Sequence, residues 1–209
     1  ITGSFGTLIT LTEITLKVLP LDPDSKTIII SGLPLEHGIA IMGSAISSPN
    51  DPSGAVFYPE NFRNSFVFND LTYTGSITAI RVEGSKTSTK QRIENLIDEL
   101  SLKDKKLAVL DSTQSEIFWE ETRSLKVFSK KKSNILRAIV PPSETLNLIN
   151  RMKIFHPNYF IDWGGSLIWI ELDYLSSQKI DQLRQRILEA NGYITVIKLK
   201  ENIKSSSEI

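Results

Sequence analysis

The chain has 209 residues, with 24 Lys+Arg against 24 Asp+Glu, two His and no Cys. A chain this long buries a core without disulfide or metal staples. Zero net charge offers no broad footprint for nucleic acid or an anionic membrane, and the absence of Cys, with only His37 and His156, excludes thiolate sites, a thiol nucleophile and a histidine-rich metal site.

The chain opens at Ile1 inside a strand-like run, Thr7–Leu19, rich in Ile, Leu and Thr. It therefore reads as part of a longer protein. Pro20 and Pro23 break that run into a linker. Lys26–Gly32 reads as a strand centred on Ile28, Ile29 and Ile30. Pro34 opens a helix through Ile46, Gly54–Tyr58 is a strand, Pro59–Asp70 is irregular, and Leu71–Gly84 is β-rich. Ser85–Ser101 reads as an amphipathic helix, with Ile93, Leu96, Ile97 and Leu100 at helical spacing. Lys105–Asp111 is a short strand, and Ser112 is placed as the cap of a helix through about Leu125.

The second half repeats the grammar. Ile135–Val140 is a strand, Ser143–Met152 a helix, Tyr159–Asp162 and Ser166–Leu172 strands around a Trp163-Gly164-Gly165 turn, Ser176–Ala190 a helix and Tyr193–Leu199 a last strand. Each half reads β-α-β-β-α-β. The expected fold is α+β: two ferredoxin-like units (residues 26–125 and 133–199) forming antiparallel sheet covered by helices. The expected division is an N-terminal strand at 1–20, a two-unit domain at 21–199 and a tail at 200–209. No apolar stretch approaches the ~18 residues of a transmembrane helix, and the opening residues carry no signal-peptide pattern. A cytoplasmic location is expected, with any membrane association arising through partner subunits.

Gly3-Ser4-Phe5-Gly6-Thr7-Leu8, followed by Leu11–Pro20, resembles the closing strand of the FAD-binding domain in FAD-linked oxidases of the vanillyl-alcohol-oxidase superfamily. An ordered set follows: Ser48-Pro49 with Pro52–Ala55, Arg81–Gly84, Phe118–Glu120, Leu136-Arg137 with Val140–Pro142, and Ile161–Gly165. This set is similar to the FAD-binding E-subunit family of bacterial glycolate oxidases, over nearly the whole chain up to about Leu199.

The resemblance implies that residues 1–20 are the last strand of an FAD domain and that the remainder is its cap. It implies FAD in the intact parent, with Gly3, Ser4, Gly6 and Thr7 as cofactor contacts, and a parent that oxidises 2-hydroxy acids. The Gly-rich loop that holds the FAD pyrophosphate in that family lies outside this sequence. The family pattern has Gly where this chain has Ile9, and a β-branched residue crowds a close backbone approach to a cofactor. The chain alone is therefore expected to be inactive and to bind no FAD. The partners expected are its own FAD domain, other oxidase subunits, or a second copy through the exposed N-terminal strand. The alternatives are a cofactor-free interaction or ligand-binding module, such as a gene remnant, and, more weakly, a pair of ACT-like sensor units.

Four residues are candidates for a substrate pocket. Arg137, inside an apolar strand, suits a bidentate pairing with a substrate carboxylate; its ordinary alternative is an ion pair with Asp162 or Glu171. Trp163 and Trp169 flank the Gly-Gly turn and suit either a pocket wall or a core. Arg81 shares a strand face with Glu83 and suits a pocket wall or a same-face ion pair. Lys130–Lys132 suits an anion patch, a solvated loop or a docking surface. No catalytic residue is assigned, His37 and His156 included, because neither has a partner at a recognisable spacing. Titration of the purified chain with FAD, followed by quenching of flavin fluorescence, is expected to show no saturable binding.

Overall fold

A computed structural model describes residues 2–4, 6–18, 20–65, 75–128 and 133–200. Lys130–Lys132, the first part of the Leu71–Gly84 run and residues 201–209 fall outside them. The strands are β1 (Asp24–Ser31), β2 (Gly54–Tyr58), β3 (Ile77–Gly84), β4 (Leu107–Leu110), β5 (Asn134–Ile139), β6 (Asn158–Asp162), β7 (Leu167–Leu172) and β8 (Tyr193–Lys198). The helices are α1 (Leu35–Ile46), α2 (Lys86–Glu99), α3 (Ser112–Arg123), α4 (Pro142–Met152) and α5 (Ser177–Glu189).

All eight strands join one antiparallel sheet in the order β4-β1-β3-β2-β6-β7-β5-β8. Each half is a β-α-β-β-α-β unit, as the sequence predicts, and the second half runs in the mirrored order. The halves meet at β2 and β6, where Phe57 pairs with Ile161.

Strand alternation divides the core between two faces. On one face Ile28, Ile30, Ile80 and Val82 pack against Ala45 of α1 and Ile93 and Leu96 of α2. Continuing across the same face, Phe57, Leu136, Ile161, Ile168 and Ile170 meet Met42 of α1, Leu148 and Ile149 of α4, and Leu183 and Ile187 of α5. The opposite face carries Ile29, Val56, Tyr58, Ala79 and Phe160, and one helix, α3, covers part of it through Phe118.

That helix is seated by hydroxyl groups as well as apolar contact. Ser115 Oγ lies 2.9 Å from Ser25 Oγ and 2.6 Å from Thr27 Oγ1, and Tyr58 donates to Thr122 Oγ1 at 2.9 Å. These bonds satisfy polar groups that burial would otherwise leave unpaired. Burial raises the Tyr58 pKa, so the phenol stays a neutral donor.

The helix starts follow capping chemistry. Ser85 Oγ accepts from the Ser88 amide at 3.3 Å and Ser176 Oγ from the Lys179 amide at 3.2 Å. The α3 cap is Asp111 rather than Ser112: its carboxylate accepts from the Gln114 amide at 2.9 Å while the Gln114 side chain accepts from the Asp111 amide at 3.2 Å. Asp111 wins because it stands three residues before Gln114, the spacing a capping box needs.

One expectation is corrected. The described part of the Thr7–Leu19 run does not form a strand: residues 6–18 have no regular structure, and Leu8, Leu11, Ile14, Leu16 and Val18 are exposed. A strand requires a neighbour for its backbone groups, and neither sheet edge, β4 or β8, pairs with this segment.

The seam between the halves depends on close approach of α1. A Cβ placed on Gly38 would lie 2.3 Å from the buried Phe57 ring. Gly38→Ala gains about 1 kcal/mol of helix propensity but overpacks the seam, at a typical cost of about 1–3 kcal/mol. Net destabilisation is expected, read as a lower urea midpoint at unchanged m.

Candidate functional site

Where α3 ends its cover, the same sheet face opens into a groove of ≈ 1050 Å³. Alternation determines which residues enter it. Arg81 on β3, Asp162 on β6, Leu167 and Trp169 on β7 and Arg137 on β5 all project from this face, and all line the groove. α3 supplies a side wall through Trp119, Glu120 and Arg123.

The wall at Trp119 is built from a gap in the sheet. Thr27, Arg81 and Gly54 are neighbours across β1, β3 and β2. Gly54 has no side chain, and a Cβ there would meet the Trp119 ring at 2.9 Å. The indole fills that space, donates from Nε1 to Thr27 Oγ1 at 2.9 Å, and carries the Arg81 guanidinium 4.8 Å from its centroid. Arg81 also pairs with Glu83 at 3.2 Å and donates from Nε to Ser53 Oγ at 3.0 Å. The same-face ion pair thus forms, within the groove wall. Burial lowers the Arg81 pKa and Glu83 opposes that shift.

Arg137 stands between Trp169 on β7 and Thr195 on β8. Its Nε is buried without a hydrogen-bond partner. Neither expected carboxylate takes it: Asp162 accepts from the Trp163 amide at 2.7 Å and Glu171 from Asn158 Nδ2 at 3.0 Å. The register explains this. Arg137 faces Trp169, which stacks on Phe160 at 6.2 Å, so aromatic rings occupy the position where a counterion would sit.

Trp163 sits at the groove mouth, 58% exposed and in the left-handed region at φ 52°. This is a costly conformation for a bulky residue. It is held in place by the Asp162 cap and by Gly164, where a Cβ would press on Ile46 of α1 at 2.9 Å. The turn is a single 3-10 turn over Trp163–Gly165.

Of the residues singled out from sequence, Arg81, Arg137, Trp163 and Trp169 come together. Gly3, Ser4, Gly6 and Thr7 do not join them. They form an exposed local turn in which the Thr7 amide and hydroxyl donate to the Ser4 carbonyl at 3.0 and 2.6 Å. A Cβ on Gly3 or Gly6 would meet nothing within 4 Å, so that turn builds no cradle. His37 and His156 are exposed and lie outside the groove. Among the described residues no cluster of His, Cys, Asp or Glu is placed to hold a metal, and no helix is long and apolar enough to cross a membrane.

The sequence marked Asp162 and Trp119 through the Ile161–Gly165 and Phe118–Glu120 motifs, but assigned neither to the pocket itself. A glycine inside the β2 strand was the available signal for Trp119, since such a gap marks a close approach. Burial pushes the Asp162 carboxyl above the ordinary range. The Trp163 amide, the Trp169 indole and the charge of Arg81 pull the other way without cancelling it.

By sequence, no family model matches the chain and no curated protein matches it. By structure, the chain is similar to alkyldihydroxyacetonephosphate synthase in two crystal forms. The TM-score is 0.53 and the identity 12% in each, covering 82% and 84% of this chain and 40% and 41% of that enzyme. It is also similar to 4-ethylphenol oxidase from Gulosibacter chungangensis in its isoeugenol complex, at TM-score 0.54 and 13% identity, covering 82% of this chain and 44% of that one. The chain spans less than half the length of these enzymes, and at such identities the likeness is one of fold.

A raised folded-state pKa fixes the sign of one prediction. Stability from Asp162 is full below the ordinary aspartate value of about 3.9 and is lost as pH rises through the raised folded value. Asp162→Asn keeps an acceptor for the Trp163 amide and removes the titration. The stability of wild type relative to this variant is expected to fall as pH rises from about 4, measured by urea unfolding at a series of pH values; a constant difference would contradict the burial argument.

Proposed function

We propose that this chain is the cap portion of an FAD-dependent oxidase or dehydrogenase acting on a 2-hydroxy acid of glycolate type. The groove face would close over the flavin ring, and Arg137 would bind the substrate carboxylate. The observation that carries this reading is Arg137: a cation with an unpartnered Nε, among aromatic side chains, lining a groove large enough for a small acid and a flat ring. A buried donor without an acceptor is costly, and a carboxylate supplies acceptors in the geometry a guanidinium matches. The ordered motif resemblance from Ser48 to Gly165 supports it, and the fold likeness to alkyldihydroxyacetonephosphate synthase and 4-ethylphenol oxidase is consistent with the cap assignment.

The residues fit one end of the cofactor. The groove suits a ring edge and a substrate, whereas the Gly3–Thr7 turn offers nothing that surrounds a pyrophosphate. The phosphates are therefore assigned to parts of the parent outside these 209 residues, and the chain alone is proposed to be inactive. When bound, the flavin supplies the acceptor for a hydride from the substrate carbon. The chain's own side chains bind and orient: Arg137 anchors the carboxylate, Trp169 and Trp163 exclude water, and Arg81 holds positive charge across the groove.

The exposed apolar run from Leu8 to Val18 is proposed to be covered by the FAD domain or a partner subunit in the assembled protein. That same run is what favours the second reading, a cofactor-free interaction module in which a partner chain covers it, for example a second copy. The first reading is tested on the chain itself with oxalate as probe, by calorimetry at millimolar concentration. Oxalate is expected to bind, and Arg137→Met to weaken that binding at least tenfold, the scale of a hydrogen bond to a charged group, with the circular dichroism unchanged. Equal oxalate binding by wild type and variant, or none by wild type, would overturn it.

A further inference from the structure

We propose that Asp162 is the acceptor of the substrate hydroxyl proton, so that the groove selects acids bearing a 2-hydroxyl. This inference rests on the reading of Arg137 as the carboxylate anchor and adds the group that removes the proton.

The placement follows from the sheet register. Asp162 pairs with Leu167, and Arg137 pairs with Trp169, two residues further along β7. All four side chains lie on the groove face. Two strand spacings and one pleat separate the Arg137 and Asp162 backbones, about 12 Å. An extended arginine side chain crosses roughly half of that. A small 2-hydroxy acid held at the guanidinium would have its hydroxyl on the Asp162 side of the groove that both residues line.

The surroundings of Asp162 suit a proton acceptor. Burial favours its neutral form, so the carboxylate is a stronger base than a solvated one. The charged and titratable groups around it come from separate elements, and Asp22, Glu83, Glu116, Arg137 and the Glu121–Lys126 pair also line the groove. Arg81 on β3 favours the ionised form. Tyr58 on β2 is buried and neutral, and its hydroxyl is committed to Thr122. Glu120 and Arg123 on α3 line the same groove and bond to each other. From β7 and the 3-10 turn come only the uncharged donors Trp169 and Trp163. The Trp163 amide orients the carboxylate, and the strained left-handed turn fixes that amide. Backbone strain of this kind is retained where the surrounding structure over-determines it, often beside a reacting group.

The step balances with an oxidised flavin as co-reactant. The carbon–hydrogen bond breaks and its electron pair leaves as hydride to the flavin. The oxygen–hydrogen bond breaks and its proton passes to the Asp162 carboxylate. The carbon–oxygen double bond forms, giving a 2-oxo acid. The substrate is oxidised by two electrons and the flavin reduced by two.

Binding tests this before any turnover is measured. Glycolate and acetate differ by the hydroxyl alone. Wild-type chain is expected to bind glycolate about tenfold more tightly than acetate, the scale of a hydrogen bond to a charged acceptor. Asp162→Asn keeps the turn cap, and Asp162→Ala removes it. The Asn variant is expected to hold acetate as wild type does and to lose the pH dependence of glycolate binding, because its amide no longer titrates. In wild type the carboxyl carbon resonance of Asp162 is expected to titrate above the ordinary aspartate value, and to shift on addition of glycolate but not of acetate. In the flavin-loaded parent, flavin reduction by glycolate is expected to slow at least a hundredfold in the Asn variant. Acetate and glycolate bound equally, with no resonance shift, overturns the role of Asp162 and leaves Arg137 as anchor. Neither acid bound by wild type overturns both readings.

Discussion

The seam between β2 and β6 is the constraint on which the rest depends. Two four-stranded units, each with an edge at its second strand, become one sheet only there, through the pairing of Phe57 with Ile161. The two faces of the seam are filled differently. On the helical face Phe57 sits against the bare Cα of Gly38. On the other, Tyr58 stacks on Phe160 at 4.8 Å. Both faces must pack for the sheet to stay continuous, and without continuity Arg81 in the first half and Arg137 in the second would not share a groove.

The uneven distribution of helices makes the site. Among the described residues α1, α2, α4 and α5 pack on one face, while α3 and the 3-10 helix Glu60–Ser65 pack on the other. The hydroxyl seat of α3 on Ser25, Thr27 and Tyr58 sets how far it reaches. Beyond it Arg81, Asp162, Trp169 and Arg137 line a groove. A buried strand face with Arg81, Asp162 and Arg137 on it makes a poor core, because each charge taken out of water needs a partner. Arg81 finds Glu83, and Asp162 finds an amide and an indole. Arg137 keeps a donor unsatisfied. Glu121, on the wall of the same groove, likewise keeps a buried carboxylate oxygen without a partner.

The fold was largely legible in the sequence. Ile28–Ile30, Leu107–Leu110 and Leu167–Leu172 are apolar runs too short for helices, and Ser85 and Ser176 stand at cap positions before amphipathic stretches. These are local signals, carried by neighbours in the chain, and the repeated β-α-β-β-α-β order followed from them. The failure at Thr7–Leu19 is also physical: alternation and β-branching describe a segment fit for pairing but not whether a partner edge lies beside it. The site was half legible. Arg137, Arg81, Trp163 and Trp169 stood out as unusual residues in strands or turns, while Asp162 and Trp119 stood out only as members of longer motifs.

By itself the sequence determined the elements from Lys26 onward, their order, the absence of cysteine chemistry and of a histidine-rich metal site, and which residues alternate to the same strand face. Tertiary structure alone decided which strands became neighbours, hence that Arg137 faces an aromatic ring instead of a carboxylate. It also decided that α3 stops short of β5 and leaves a groove, and that the Gly3–Thr7 turn lies outside it. The reason is range. Periodicity and capping act over a few residues, whereas charge pairing and burial depend on contacts such as Phe57 with Ile161, more than a hundred positions apart, which no local pattern encodes.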